Sequence, residues 1–514
     1  NQTPFSGANN YPSTASYHDQ RRVFSATNNH PQSTWMTRPG TEANLSKSIP
    51  SQDDDSILFT LSARQYNQVR HIVPLDELLI FTSATEWKLT TENSDALTPT
   101  TIALRPQSYV GSGTREPLVS GDAVLFIADL GGHVYDMNYS FETDQYKPRD
   151  ISIIAPHLFD SFTISDWAYS SVPVSLIWAV RSDGKLVGLT YLSGQKPDVL
   201  GWHLHDTDGE FESVAVIPES NGEKMLYVVV KRRINGVDRR FIERLHSRIF
   251  STVKDAFHVD SGLSYDNPKT ITAVTAANPP VVTSASHGFS NGDVIQIDDV
   301  GGIGTDAGMT ELNGNRYTVA SAATNSFALQ TVAVSPANVD GSAYTAYVSG
   351  GNARKEITVV NGLHHLIGES VAIYADGSVA PKQTVAADGS ITLTQGAGRI
   401  HIGLSYTSDI QTLPIVEPKT DGLGQGQLKS VSKVHLRVDT TRGPSQVGPD
   451  YSHLVAYAQR TSEAYGEPTA LVSNEIEISL DASWTRGGQI VVRQTDPSPL
   501  TILSLTTEVE FGAA

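Results

Sequence analysis

Cysteine is absent from this 514-residue chain. That excludes disulfides, thiolate metal sites and cysteine nucleophiles together, and it fits folding in a reducing cytoplasm. Long apolar runs are absent too. The longest, SLIWAV (175–180) and MLYVVV (225–230), fall far short of the ~20 residues that a membrane helix needs, so no membrane span is predicted. Positive charge is scarce: 37 Lys and Arg stand against 55 Asp and Glu, a net charge of −18. A chain of that balance repels nucleic acid as a whole, and any DNA contact must be local or sliding. Apolar residues at helical spacing over three or more turns are hard to find. The sequence starts at Asn1 in a polar stretch, with neither Met nor a charged-then-apolar leader, the pattern expected of a processed or partial chain.

What is present is turn chemistry. The length points to two to four domains. Short apolar or alternating runs are punctuated by Asn-Gly and Asp-Gly pairs at 183–184, 208–209, 221–222, 235–236, 291–292, 313–314, 376–377 and 388–389, which accept the positive φ of tight turns. The fold class predicted is all-β. Between about 57 and 250, the runs LDELLIFTSATEWKLT (75–90), GDAVLFIADLGGHVYDMNY (121–139), SLIWAVRSDGKLVGLTYL (175–192) and the stretch 211–245 each pair an apolar strand with a return strand. Hairpins at roughly forty- to fifty-residue spacing suit the blades of a β-propeller. The texture changes at 268–352, which is rich in Ala, Thr, Val and Gly and almost free of Lys. This segment is expected to be a small β-barrel inserted into a host whose text resumes across it, from LSYDN (263–267) to ITVVNGLHHL (357–366). The expected domains are a propeller-like region 1–267, the insert 268–352, a continuing hairpin domain 353–420 and a C-terminal β domain 421–514.

Several clusters invite a chemical reading. In GWHLHDTDGEFESVAVIP (201–218), His203 and His205 project from one face of a predicted strand, with Asp206, Asp208 and Glu212 nearby, as metal ligands could. The plainer reading is a hairpin around Asp208-Gly209, because Trp202 and Leu204 take the other face and DTDGEFE offers too few oxygen ligands for calcium. The run 231–244 gathers Lys231, Arg232, Arg233, Arg239, Arg240 and Arg244 around an Asn-Gly turn and could touch phosphate, or else be a charged edge facing solvent or another subunit. In VSKVHLRVD (431–439), alternation puts Lys433, His435 and Arg437 outward and Val434, Leu436 and Val438 inward, a stripe that suits solvent, a channel wall or an acidic neighbour. Asp53, Asp54 and Asp55, or Asp206 with Asp208, are the pairs a glycosidase reading would nominate. The glycines of DGLGQGQ (421–427) lack the strand-loop-helix frame and the GK[ST] of a phosphate loop. No nucleophile elbow, HExxH or placeable triad is present. The expectation is therefore a protein that is not an enzyme, with no catalytic, metal or cofactor residues.

The stretches 17–45 and 53–89 carry a family likeness. Tyr17 followed by Gln20-Arg21 and Phe24, then Pro31-Gln32, Arg38-x-Gly40 and a run closing on Thr82-Ser83-x-x-Glu86-Trp87 resemble the tail tubular or nozzle proteins of short-tailed bacteriophages and related stabilisation proteins. RSDGKLVGLTYL (181–192), the 201–218 stretch, 227–245 and GLHHLIGESVAIYADG (362–377) continue it. The insert resembles the small barrel named after the first catalytic-cysteine half-domain of ubiquitin-activating enzymes; without cysteine, only the fold can carry over. The resemblance implies a structural subunit of a virion tail, assembled in the host bacterial cytoplasm as a homo-oligomer, a hexameric ring around the DNA-ejection channel. It implies adaptor or tail-tube proteins above, fibres or a distal plug below, and transient, non-specific passage of DNA. Members of the family usually carry a further N-terminal region. The alternative is a propeller that binds host-surface glycan, with the insert as its reader; a propeller glycosidase stands third.

Overall fold

In the computed structural model, the structure describes all residues except 1–3, 64, 93, 95, 194–197, 303–306, 417, 420–421, 424–425, 459–467, 482 and 513–514, with backbone only at 418–419 and 422–423. The described residues form antiparallel strands, four single-turn 3-10 helices and no α-helix, so the chain is all-β. The glycines of the eight Asn-Gly and Asp-Gly pairs named above take positive φ. Two compact units emerge, 1–233 with 238–245, and 234–237 with 246–514.

The first unit is a succession of five meander sheets. Strands Thr14–His18, Arg21–Ser25, Ser33–Met36 and Ile57–Thr60 make the first; Val69–Pro74, Leu78–Thr82, Glu86–Thr91 and Ile102–Ser108 the second. Leu118–Ser120, Ala123–Ile127, Val134–Ser140 and Gln145–Asp150 make the third; Ile164–Ser170, Leu176–Arg181, Leu186–Leu192 and Val199–His205 the fourth. Glu210–Pro218, Lys224–Ile234 and Val237–Arg244 form the three-stranded fifth. Strands that are apolar on both faces mark sheets covered on both sides. In Leu78–Thr82, Leu78 and Ile80 pack on Val23, Met36 and Ile57 of the first sheet, while Leu79 and Phe81 pack on Val124 and Phe126 of the third. In Leu176–Arg181, Ile177 and Ala179 face the third sheet, and Trp178 and Val180 face Phe211, Val214 and Val228 of the fifth. Each such buried side chain contributes about 1.5–3 kcal/mol of transfer free energy. The outer face of the first sheet, Phe24 and Trp35, is covered by Phe5, with ring centroids 5.1 and 5.2 Å away. Among the described residues no core cluster joins the fifth sheet to the first. Among the described residues the sheets therefore pack face to face in sequence order, each on the next.

In the second unit, strand Asp260–Asp266, placed by the sequence at the end of the first domain, pairs with Arg399–Leu404, which pairs with Ser370–Ala375 and through it Ser378–Thr384. With the pair Ile357–Val360 and Ile391–Ala397 these strands enclose a core of Val360, Leu366, Val371, Ile373, Ile391, Ile400 and Ile402. Between Asp266 and Ile357 lies a seven-stranded sheet whose first strand, Lys269–Thr270, sits at one edge and whose second, Ala273–Val274, sits at the other. One bent segment thus joins both edges and closes a small barrel, filled by Val282, Ile295, Ile297, Met309, Leu312, Phe327 and Leu329. C-terminal to the host, Ser408–Gln411, Val491–Gln494 and Gln446–Gly448 form one layer, and Glu475–Ser479, Lys429–Val438 and Ile502–Phe511 the other. Val434, Leu436, Val447, Ile476, Ile478 and Val492 are buried between them.

The barrel leaves and re-enters its host at neighbouring points, since Asp266 pairs with Arg399 and Ile357 with Ala397. Excising 268–355 and bridging the gap with a short Gly-Ser linker is expected to leave the host folded. Thermal denaturation followed by circular dichroism should show a Tm within about 5 °C of the parent, the shift of roughly 1–2 kcal/mol in a domain of this size. Collapse of the cooperative transition would show that the host core needs the barrel.

Candidate functional site

The histidine pair lies on the edge strand of the fourth sheet. His203 Nδ1 and His205 Nε2 are 2.7 Å apart, and both rings pack on Trp178 at 5.4 and 5.3 Å. Register puts His203 opposite Gly188, and a Cβ at 188 would lie 1.9 Å from the imidazole, so this glycine makes the room for the ring. Trp202 takes the other face, where its Nε1 donates to the Ile151 carbonyl at 2.8 Å. Of the acids nearby, Glu212 accepts Arg240 at 2.6 and 2.9 Å, while Asp208 contributes its backbone carbonyl, which accepts Arg232 at 2.5 Å. Among the described residues no group of three or more His, Asp or Glu is placed to hold a metal. The expected hairpin is corrected, however. Val199–His205 belongs to the fourth sheet and Glu210–Pro218 to the fifth, so Asp208-Gly209 passes the chain from one sheet to the next. Phe211 N donates to the Gly184 carbonyl at 2.8 Å, and Gly209 packs on the Lys231 carbonyl, which gives the turn a neighbour-sheet role that hairpin statistics do not anticipate.

The basic run is largely neutralised within its own sheet. From 210 to 244 the sequence holds six acids and seven bases. Arg232 is buried and pairs with Glu243 at 2.9 Å, Lys231 lies 3.5 Å from Glu210, and Arg233 lies 3.7 Å from Asp238. Arg240 and Arg244 reach across the central strand to Glu212 and Glu219, the latter at 2.5 Å. Paired so, Glu219 is held down to about 2, by the Arg244 hydrogen bond first and the Tyr227 hydroxyl second. Little free positive potential is left for phosphate.

The most densely built polar site is one that residue spacing did not single out. Arg21 is 1% exposed, and its guanidinium donates to the carbonyls of Thr37 and Asp55 at 2.7 Å, Asp53 at 3.2 Å and Leu97 at 3.3 Å. Around it, Gly40 N donates to Gln20 O at 2.9 Å, and Arg38 Nη2 donates to Asp54 Oδ2 at 2.5 Å. Asp55, also 1% exposed, accepts Ser48 N, Ser48 Oγ and Gln52 N at 2.8–2.9 Å. Those bonds, the Gln52 amide first, hold its carboxyl below the usual range. The candidate acids Asp53, Asp54 and Asp55 thus serve a clasp. Glu86, which ends the second stretch of the likeness, is buried, accepts the Ser108 hydroxyl and is pushed up by burial. The signal available in the sequence was the Gln-Arg-Arg run followed by three consecutive acids, which gives composition but not the carbonyl cage.

A second unanticipated group gathers three histidines. His401 is buried, with Nδ1 2.7 Å from Ser264 Oγ and Nε2 3.0 Å from the Lys254 carbonyl. The Phe257 ring lies 5.4 Å from His401 and 4.8 Å from His246, stacked on the latter. Burial first, then His246, Arg248 and His401, push His258 down to about 4; burial also lowers His401.

In the C-terminal layer, Val434, Leu436 and Val438 are buried, as alternation predicts, and Lys433 meets Glu477 at 2.7 Å. His435 lies 3.1 Å from Glu475 and 3.2 Å from Glu508, whose hydrogen bond is the main cause of its raised pKa. Arg437, exposed, borders a polar depression of about 250 Å³ with Asp439, Ser473, Asn474, Glu475 and Leu503. Of the Gly-rich joint, Asp421, Gly424 and Gln425 lie outside the described residues.

No protein-family model and no curated protein sequence matches the chain. Among solved structures, it is similar to a luciferin-regenerating enzyme at 10% identity, over 66% of this chain and 95% of that one, with a TM-score of 0.26. It is similar to Raptor of Chaetomium thermophilum at 11% identity, over 54% and 24% of the two chains, with a TM-score of 0.28. An exo-β-1,3-galactanase from Phanerochaete chrysosporium follows at 10% identity, over 76% and 92%, with a TM-score of 0.23. At such TM-scores these likenesses carry no argument about fold or activity.

Proposed function

We propose that this chain is a structural subunit of a bacteriophage tail, of the tubular or nozzle type, assembled from copies of itself into a ring around the DNA-ejection channel. The observation that carries the reading is the run of family-like residues from Tyr17 to Trp87. Its support in the fold is that Gln20-Arg21, Arg38-x-Gly40 and the following acids converge on one clasp, so the likeness falls on residues that shape a scaffold. The acidic balance suits a wall past which DNA slides, and Arg232, Arg233, Arg240 and Arg244 are drawn into ion pairs that weaken the grip of that wall on phosphate. Mechanism in this reading is mechanical: subunit contacts hold the tube closed until the distal tail changes.

Electron microscopy of the purified protein and of particles labelled through a tag on this chain is the test. Rings, sixfold by the resemblance, and label on the tail are the expected result. A strictly monomeric protein missing from particles would remove the reading. Lipopolysaccharide binding that disappears on deletion of 268–352 would favour the glycan-binding alternative instead.

A further inference from the structure

Strand Ile502–Phe511 is ten residues long and, among the described residues, pairs only with Lys429–Val438. Its outer edge therefore presents a row of main-chain donors and acceptors, the template for strand addition. Glu475–Ser479 on the opposite flank also pairs only with Lys429–Val438 among the described residues, so the two flanks differ in how deeply their inward side chains are buried. On Glu475–Ser479 the inward Ile476 and Ile478 are each 5% exposed, whereas inward Ile502, Leu505, Val509 and Phe511 are only half-buried. A further strand beside 502–511 would complete the same core.

We infer that the occupant is a second copy of this strand, running antiparallel across a two-fold axis at Thr507. That register keeps faces matched. On the core side Leu505 lies opposite Val509 of the second copy and the two Thr507 side chains meet. On the solvent side Thr506 lies opposite Glu508, and Ser504 lies opposite Glu510. Ser504 is the cross-strand neighbour of Arg437, which makes no ion pair within 4 Å among the described residues, as Glu510 makes none. Across the small Ser504 side chain, Arg437 of one copy reaches Glu510 of the other, the span that Arg240 already covers to Glu212 within one chain. The two-fold repeats the pair, so one strand carries both halves of its own complement. Being two-fold, this contact differs from any head-to-tail contact that builds a ring, so its test stands apart from the tail reading.

The lack of cysteine makes the test clean. Thr507→Cys should cross-link to itself under mild oxidation, because directly opposed residues bring their Cβ atoms to about 4.5–5.5 Å. Leu503→Cys should not, since the two copies of residue 503 would sit about 27 Å apart at ~3.4 Å per residue. In sedimentation analysis of the whole chain two-fold association is expected, pairing single chains or pairing rings where rings form, weakened on the order of tenfold by Arg437→Glu or by Glu510→Arg alone and restored by the two together. Recovery in the double variant separates the contact from a folding defect. A chain that stays monomeric at tens of micromolar (~50 µM), or a dimer indifferent to these changes, overturns the inference.

Discussion

Arg21→Met is expected to unfold the first sheet of the chain, with a loss of about 3–5 kcal/mol, the range for removing one partner of a buried charged group. Methionine fills a similar volume but donates nothing, so four backbone carbonyls, of Thr37, Asp53, Asp55 and Leu97, lose the guanidinium. Each buried acceptor left without a partner costs roughly 1–3 kcal/mol, which makes the total plausible even if water reaches some of them. Arg21→Lys should recover part of the loss, because an ammonium keeps the charge but lacks the planar fork that serves several acceptors at once. Limited proteolysis should cut the methionine variant within 38–56 while the parent resists. Equal resistance of both proteins would mean that the loop is held by Asp55 and Arg38 without the cage.

The second large effect is a pH dependence carried by His258. Its folded pKa is about 4 against an unfolded value near 6.5. The unfolded chain thus binds a proton that the folded chain refuses. The histidine costs nothing above about pH 6.5, and stability falls as pH drops from there toward 4, by up to about 3 kcal/mol in total. Around it stand His246, Arg248 and His401, with Lys254, Asp255 and Arg399 beside His401; no carboxylate among the described residues is placed to rescue the charged imidazole. Glu86 and Asp376, raised by burial, act with the opposite sign: their cost is absent below the unfolded carboxyl range and appears as pH rises through it. The informative quantity is therefore the difference between the parent and His258→Gln, measured by urea denaturation at several pH values. The variant should lose the share of the slope between pH 6.5 and 4 that His258 carries, while buried His401 keeps its own; an unchanged slope would place the proton uptake on other groups.

These two sites show where sequence patterning stops being informative. Alternation placed Val434, Leu436 and Val438 inward and Lys433 and His435 outward, because a strand's period of two is a local property. Turn dipeptides marked positions of positive φ for the same reason. The Asp208-Gly209 turn was legible as a turn, yet not as a passage between sheets, since which strands pair is decided by partners tens of residues away. Arg21 illustrates the limit more sharply. A chain offers many arginines, and only the path of the 37–55 loop makes this one a buried centre. His258 and His401 lie far apart in sequence and become neighbours only when Asp260–Asp266 pairs with Arg399–Leu404.

The five sheets of the first unit form a row among the described residues, and a row has ends. An interior sheet such as Val69–Ser108 is held by two apolar interfaces, while the fifth, Glu210–Arg244, shares only one. Stability in such an array is distributed by nearest neighbours. Under pulling force, the fifth sheet should peel first and the second last of its neighbours. Strain entering near Arg244 would then be absorbed step by step, one sheet at a time, with the Arg21 clasp as the terminal anchor.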